Sequence, residues 1–305
     1  MPAQRNASHQ SPAAARPIAA GADASIAIPE LVDRYGPRLY AVALRMCGHR
    51  ADAEDMVQDV FLQAFRKWHT FKGEADPGTW LYAIAARSCK ARLRRKGGVD
   101  RRMPAMSQLM PWREKTVMEV AAAGEGDEDP AEREEAVSRV QREIARLPEH
   151  LRVPLVMKEM LGITVEDVGS ALGLTENTVK TRLHRARLAL RKAMTAKASP
   201  VDAPAPIYEK QVCLDLLKAK MDAMDRGGAA AGSKIPQAEL CARCRAVFRE
   251  LDLVQEACVD MAGDAMPARL KTAILKALRA REAAEHGANA PARRGRRPVT
   301  RSSHR

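Results

Sequence analysis

The residues best equipped for chemistry are thiols and cations, and they lie in different parts of the chain. Cys241 and Cys244 form a CxxC pair, with Cys213 upstream and Cys258 downstream. Thiolates at that spacing bind soft metals or switch redox state. Well before them, Asn177, Thr178, Lys180, Thr181, His184 and Arg185 make a polar, cationic set. Arg and Lys can bond guanine edges or phosphates, and Asn or Thr can read bases. A metalloenzyme would need an open metal site with a general base beside it, and no His or Glu falls at ligand or base spacing around Cys241 and Cys244.

The polar set needs a helix to present it. Thr164 and Asp167 have the spacing of a helix start, and Val165–Leu172 reads as a short helix. Gly173-Leu174-Thr175 follows as a tight turn, with Thr175 as the next N-cap. Val179, Leu183, Ala186 and Leu190 then recur at i, i+4, i+7 and i+11 as one buried stripe. That leaves Asn177, Thr178, Thr181, His184 and Arg185 outward and Lys180 on the flank. The pattern is a helix-turn-helix, whose second helix enters the major groove. A helical hairpin with a solvated charged face is the plainer alternative, but cap, turn and stripe all agree with the first reading.

A chain of 305 residues should hold two or three small domains. Its net charge of +13 favours a polyanionic partner. Aromatics are only 4% of residues and strand-like alternation is absent, so the fold class is all-α. We expect two small helical DNA-binding domains, the second a helix-turn-helix, joined by a flexible linker, plus a small C-terminal helical module. No apolar run approaches the roughly 20 residues that span a bilayer. The N-terminal stretch also lacks a signal-peptide core, so the reading is cytoplasmic, with no membrane association. Structural disulfides are then not expected, and Cys47 and Cys89 read as dispersed thiols.

Residues 1–25 read as disordered and 26–97 as one helical domain. Leu31, Tyr35, Leu39, Val42, Ala43 and Met46 keep helical spacing, with Pro37 as a kink. Gly48-His49-Arg50 turns the chain, and Asp52 or a neighbour caps the next helix. That helix buries Met56, Val57, Val60, Phe61, Ala64, Phe65 and Trp68 and shows Asp52, Asp55, Gln58, Asp59 and Gln63. An acidic-polar face on a basic protein suits a protein partner, although a solvated face has the same pattern. Thr79 caps a further helix to Arg95, with Trp80 and Tyr82 at its start and Arg87, Lys90 and Arg94 on one face. Cations beside exposed aromatics hold unpaired bases, and aromatics buried in the core are the alternative. Residues 98–130 read as a linker, 131–198 as the helix-turn-helix domain and 199–207 as an extended Pro-rich spacer. Residues 208–285 read as the cysteine-containing helical module, and 286–305 as a basic disordered tail.

Two blocks resemble a known family. DAEDMVQDVFLQAFRKW (52–68) with GTWLYAIAARSCKARLRR (78–95) resembles the second conserved region of bacterial sigma factors of the extracytoplasmic-function (ECF) group, within the sigma-70 family. The stretch 147–191 resembles their fourth region. The resemblance implies a transcription-initiation factor with no catalytic step of its own. Its partners would be core RNA polymerase, through the beta-prime clamp and beta flap, and promoter DNA. Asp52, Asp55, Gln58, Asp59 and Gln63 would dock on the clamp. Phe71, Lys72, Trp80, Tyr82, Arg87, Lys90 and Arg94 would recognise and melt the −10 element. Asn177, Thr178, Lys180, Thr181, His184 and Arg185 would read the −35 element, and the linker would run toward the RNA exit path. Ser88 and Ala91 depart from the family's usual residues, which leaves the −10 preference open.

The segment ending PARLKTAILKALRA (267–280) resembles a zinc-binding anti-sigma domain. Cys213, Cys241 and Cys244 would be its ligands for zinc or copper, but Gln237 stands where that domain carries His. Cys258 lies 14 residues past Cys244 with no helix breaker between, about 21 Å along a helix, and cannot substitute. A redox switch and an inert helical module stay open as alternatives. The implied regulator is the chain's own C-terminal domain or a separate anti-sigma factor. The alternative for the whole chain is a helix-turn-helix regulator acting without core polymerase.

Overall fold

The computed structural model describes residues 18–74, 76–95, 105–118, 130–195, 200–227, 240–261 and 265–288. Residues 1–17, the acidic part of the linker, Gln237 and the basic tail from 289 onward lie outside the described residues, as do the side chains of Lys90 and Arg94.

Three helices build the first domain. α1 (Ala24–Cys47) starts at Asp23, whose carboxylate accepts the Ser25 N–H at 2.8 Å, and ends at Gly48 with φ 76°. Gly48 takes the left-handed conformation that closes helices and returns its N–H to the Leu44 carbonyl. The helix is continuous across Pro37. α2 (Arg50–Lys67) starts two residues ahead of Asp52, so the expected cap is instead a first-turn acid that complements the helix dipole. α3 (Pro77–Arg95) likewise starts ahead of Thr79. The Asp76 carboxylate accepts the Gly78 N–H at 2.8 Å, and Pro77 supplies the preset φ of a first helical position.

Within the linker, the described residues 105–118 form a short helix, α4 (Met106–Leu109), a 3-10 turn at Pro111–Arg113 and a strand, β1 (Thr116–Met118). β1 pairs antiparallel with β2 (Pro200–Asp202), Val117 opposite Val201, so the Pro-rich spacer is tied down as well. Leu109 and Val117 are buried, which offsets the entropy cost of ordering the segment.

The second domain holds α5 (Pro130–Arg146), α6 (Glu149–Leu155) running into a π turn at Val156–Met160, α7 (Val165–Leu172) and α8 (Glu176–Thr195). The C-terminal module is α9 (Lys210–Gly227), α10 (Ala242–Asp260) and α11 (Ala268–Ala288). The two DNA-binding domains are docked on one another. One apolar core runs from α1–α3 through α5–α8 and takes in Cys258, Leu270, Ile274 and Leu278 of the C-terminal module. A second, smaller core packs Leu109 and Val117 with Leu188 of α8 and Leu217, Met221, Phe248 and Leu251 of α9 and α10.

Candidate nucleic-acid interface and what covers it

Local chemistry builds the helix-turn-helix as the sequence predicts. The Thr164 hydroxyl accepts the Asp167 N–H at 3.1 Å and meets the Asp167 carboxylate at 2.8 Å. Gly173, at φ 67°, closes α7, and the Thr175 hydroxyl accepts the Thr178 N–H at 3.3 Å to start α8. Val179, Leu183, Ala186 and Leu190 are all fully buried. Gly169 lets the turn approach closely: a Cβ there would sit 2.8 Å from the Leu174 carbonyl oxygen. On the outer face Asn177 and Thr181 are exposed, and Thr178, Lys180, His184 and Arg185 half-buried. Asn177, Thr178, Thr181, Arg182 and Arg185 line an open depression with His150.

The expected −10 face is only partly a surface. Phe71 stacks on Trp68 at a 4.9 Å ring separation and is buried, and Tyr82 is buried edge-on against Tyr35. For Tyr82 the core alternative holds, and Phe71 is core as well. Trp80 closes the Trp68–Phe71 cluster from the rim and stays half-buried, while Lys72 is exposed. The physical reason is local. The loop before α3 has few other apolar groups, so its aromatics anchor it, helped by a 2.7 Å bond from Trp68 Nε1 to the Ala22 carbonyl. Burial also pushes the Tyr82 hydroxyl well above its ordinary pKa.

On α2, Asp55 is exposed and Asp52, Gln58 and Asp59 half-buried. Gln63, also half-buried, donates to the Ser88 hydroxyl at 2.9 Å across the α2–α3 seam. α11 lies along the same helix. Arg269 pairs with Glu54 at 2.8 Å near the start of α2, and Glu282 lines a depression with Phe65 and Arg66 at its end. Lys271 pairs with Asp33 of α1 at 2.7 Å.

Two arginines that the sequence reading left out dominate the seam between α8 and the C-terminal module. Arg187 and Arg191 lie one and two turns beyond Leu183, inside the apolar stripe, and are 1% and 0% exposed. That position was the legible signal: a buried guanidinium demands carboxylate partners. Arg187 bonds Glu159 Oε1 with Nε (2.9 Å) and Nη2 (2.5 Å), and Asp225 Oδ1 with Nη1 (2.6 Å). Arg191 bonds Glu250 at 2.8 Å and Glu114 of the linker at 2.5 Å. Although burial opposes charge, these carboxylates raise both guanidinium pKa values. His184 Nε2 lies 3.2 Å from Asp225 Oδ2. Arg243 of α10 bonds the Trp112 and Glu114 carbonyls, so the same module holds the linker. Across the domain seam, Arg87 donates to the Ala171 carbonyl of α7 at 3.2 Å, and Arg38 to the Met160 carbonyl at 2.8 Å.

Cys213, Cys241 and Cys244 share the smaller core, and Cys258 sits apart in the larger one. Burial, then contact with Cys241 and Cys213, pushes the Cys244 thiol up to about 12. Burial also works against ionisation of Cys241, but hydrogen bonds from the Cys244 amide and thiol hold its thiol below the usual value. Cys244 thus contacts both other thiols, yet the three are not gathered within 4.8 Å of one another. Among the described residues, the one His/Cys/Asp/Glu group that meets that limit is His184, Asp222 and Asp225. The neighbouring Cys47 thiol, then burial, raises the Cys89 pKa.

A helix-turn-helix with a cationic second helix, paired with a second helical domain, defines a DNA-binding protein of bipartite build. Residues 31–99 match Sigma-70 region 2, and residues 138–190 match Sigma-70, region 4. The ECF RNA polymerase sigma factor SigW of Bacillus subtilis is 30% identical over 171 residues, 55% of this chain and 89% of that protein. The RNA polymerase sigma-H factor of Pseudomonas aeruginosa is 31% identical over 173 residues, 54% of this chain and 84% of that protein. A solved structure of the sigma factor RpoE with the anti-sigma factor NepR from Bartonella quintana shares 21% identity with a TM-score of 0.40. It covers 55% of this chain and 96% of that chain. The chain belongs to the ECF sigma factors, which initiate transcription. α9–α11 lie outside both matched regions.

Proposed function

We propose that this sigma factor is held closed by its own C-terminal helices and must open to engage a promoter. The observation that carries this is the direct contact of α3 with α7 through Arg87 and Ala171. The −10 and −35 elements are, by their names, about 25 base pairs apart, roughly 85 Å at 3.4 Å per pair. Two domains in van der Waals contact cannot reach both. Opening must therefore break the α3–α7 seam, and the C-terminal module opposes it by binding α8 through Arg187 and Arg191, the linker through Arg243, and α1–α2 through α11.

In the open form, Asp52, Asp55, Gln58 and Asp59 dock on core polymerase. Lys72, Trp80 and Arg87 act at −10, while Lys180, Thr181, His184 and Arg185 read −35, all in the cytoplasm. No helix of the described residues is long and apolar enough to cross a membrane. Catalysis is left to polymerase. Zinc or copper at Cys213, Cys241 and Cys244 is part of the proposal, with Arg243 between the last two linking that cluster to the linker. A separate anti-sigma factor would compete for the same faces. Runoff transcription with core polymerase tests the reading: Lys180→Ala with Arg185→Ala should abolish use of a promoter that depends on its −35 element. Undiminished output from that variant, or failure of the full chain to bind core polymerase, would overturn it.

A further inference from the structure

We propose that His184, Asp222 and Asp225 form a divalent-cation site that staples the recognition helix to the C-terminal module. The site is unrelated to the cysteines. Asp222 and Asp225 stand at i and i+3 on one face of α9. His184 approaches from α8, and the three ligand atoms lie within 4.8 Å of one another. A borderline divalent ion binds imidazole nitrogen and carboxylate oxygen at about 2.0–2.2 Å, which holds tetrahedral ligands roughly 3.4 Å apart. His184 Nε2 and Asp225 Oδ2 are already 3.2 Å apart, so only Asp222 has to close in. Its current partner, Lys218, is 74% exposed at 3.2 Å and is readily displaced. Asp225 is fixed by Arg187 through its other oxygen, Oδ1, which leaves Oδ2 aimed at the site.

Charge permits it. Asp222, Asp225 and Glu159 bring three negative charges to this seam, against Arg187, the largely buried Lys158 and Lys218. Once Lys218 is displaced from Asp222, one negative charge is left for a cation to balance. His184 is 19% exposed and Asp222 32%, so water can complete the coordination sphere. One nitrogen with two carboxylate oxygens suits Zn²⁺, Co²⁺ or Ni²⁺ and disfavours Cu(I), which needs thiolates. When Nε2 takes the metal, the imidazole proton sits on Nδ1 and the ring is held against α9. Metal binding stands by itself, whereas its effect on promoters rests on the closed-state reading above.

The test is an anaerobic Co²⁺ titration of the full chain against Asp222→Asn, with His184→Gln as a second variant. Thiolate-bound Co²⁺ absorbs strongly in the near ultraviolet, so occupancy of the cysteines is scored separately. Both variants should lose one equivalent, or weaken it at least tenfold, with the thiolate band unchanged and the metal-free melting temperature of Asp222→Asn unaltered. Equal stoichiometry and affinity in wild type and Asp222→Asn would overturn the site. If the metal binds as stated, promoter binding with core polymerase should fall on metal addition in wild type but not in Asp222→Asn. Binding without that fall would overturn the stapling role and leave the site standing.

Discussion

Replacing Asp225 by Asn tests the closed state at a deeply buried contact. Asp225 and Arg187 are 3% and 1% exposed, so solvent screening does little to weaken the pair. The substitution keeps the shape of the side chain and leaves Arg187 with both of its bonds to Glu159, which belongs to the same domain as α8. What disappears is the carboxylate charge that meets Arg187 and His184 across the seam, worth about 2 kcal/mol. Glu159→Gln would be harsher, about 3–5 kcal/mol, because it disturbs the doubly bonded partner of a buried charge. At about 1.4 kcal/mol per tenfold, 2 kcal/mol shifts the closed–open equilibrium roughly 30-fold toward open. Runoff transcription by the full chain at subsaturating core polymerase should rise by up to that factor, limited by how much of the wild type is already open. Asp215→Asn, on the exposed start of α9, is the control and should change nothing. A variant that melts earlier yet transcribes at the wild-type level would refute the claim that this seam restrains promoter engagement.

Other expectations follow from single contacts. The Asp225 carboxyl is held below its ordinary pKa: burial opposes ionisation, but the His184 hydrogen bond and the Arg187 charge outweigh it. A depressed carboxyl contributes stability that is present above its unfolded value, about 3.9, and lost as pH falls through the folded one. The seam should therefore be insensitive to this group between about pH 5 and 8 and should loosen below about pH 4, read by tryptic cleavage or scattering after pH jumps. Gly169→Ala would push a Cβ to 2.8 Å from the Leu174 carbonyl oxygen, which is backbone and cannot swing away. Chemical denaturation should show a loss of about 1–3 kcal/mol, with −35-dependent output falling in parallel. Arg243→Met removes the bonds to the Trp112 and Glu114 carbonyls, and limited proteolysis should then cut between Trp112 and Met118 at least several-fold faster.

The sequence by itself determined the helix-turn-helix, because caps, a left-handed glycine and an apolar stripe act within a few residues of one another. Thr164, Gly173, Thr175 and the Val179–Leu190 stripe needed no long-range information, and the helical character of 208–285 was legible in the same way. Helix starts slipped at Asp52 and Thr79 because Arg50 and Pro77 also fit a first turn, and the tertiary bond from Tyr35 to Asp76 favours the earlier start of α3. Only the tertiary structure decided that Phe71 and Tyr82 are core, that Gln63 serves Ser88, and that Thr116–Met118 of the linker pairs with Pro200–Asp202. Aromatic stripes and Pro-rich spacers have the same pattern whether they face water or a neighbour. Above all, the apolar stripe marks Arg187 and Arg191 as buried but cannot name their partners, because Glu159, Asp225, Glu250 and Glu114 converge on them from 28 to 77 residues away. A charge is tolerated in an apolar core only when its partners arrive with it, and no local window of sequence contains those partners.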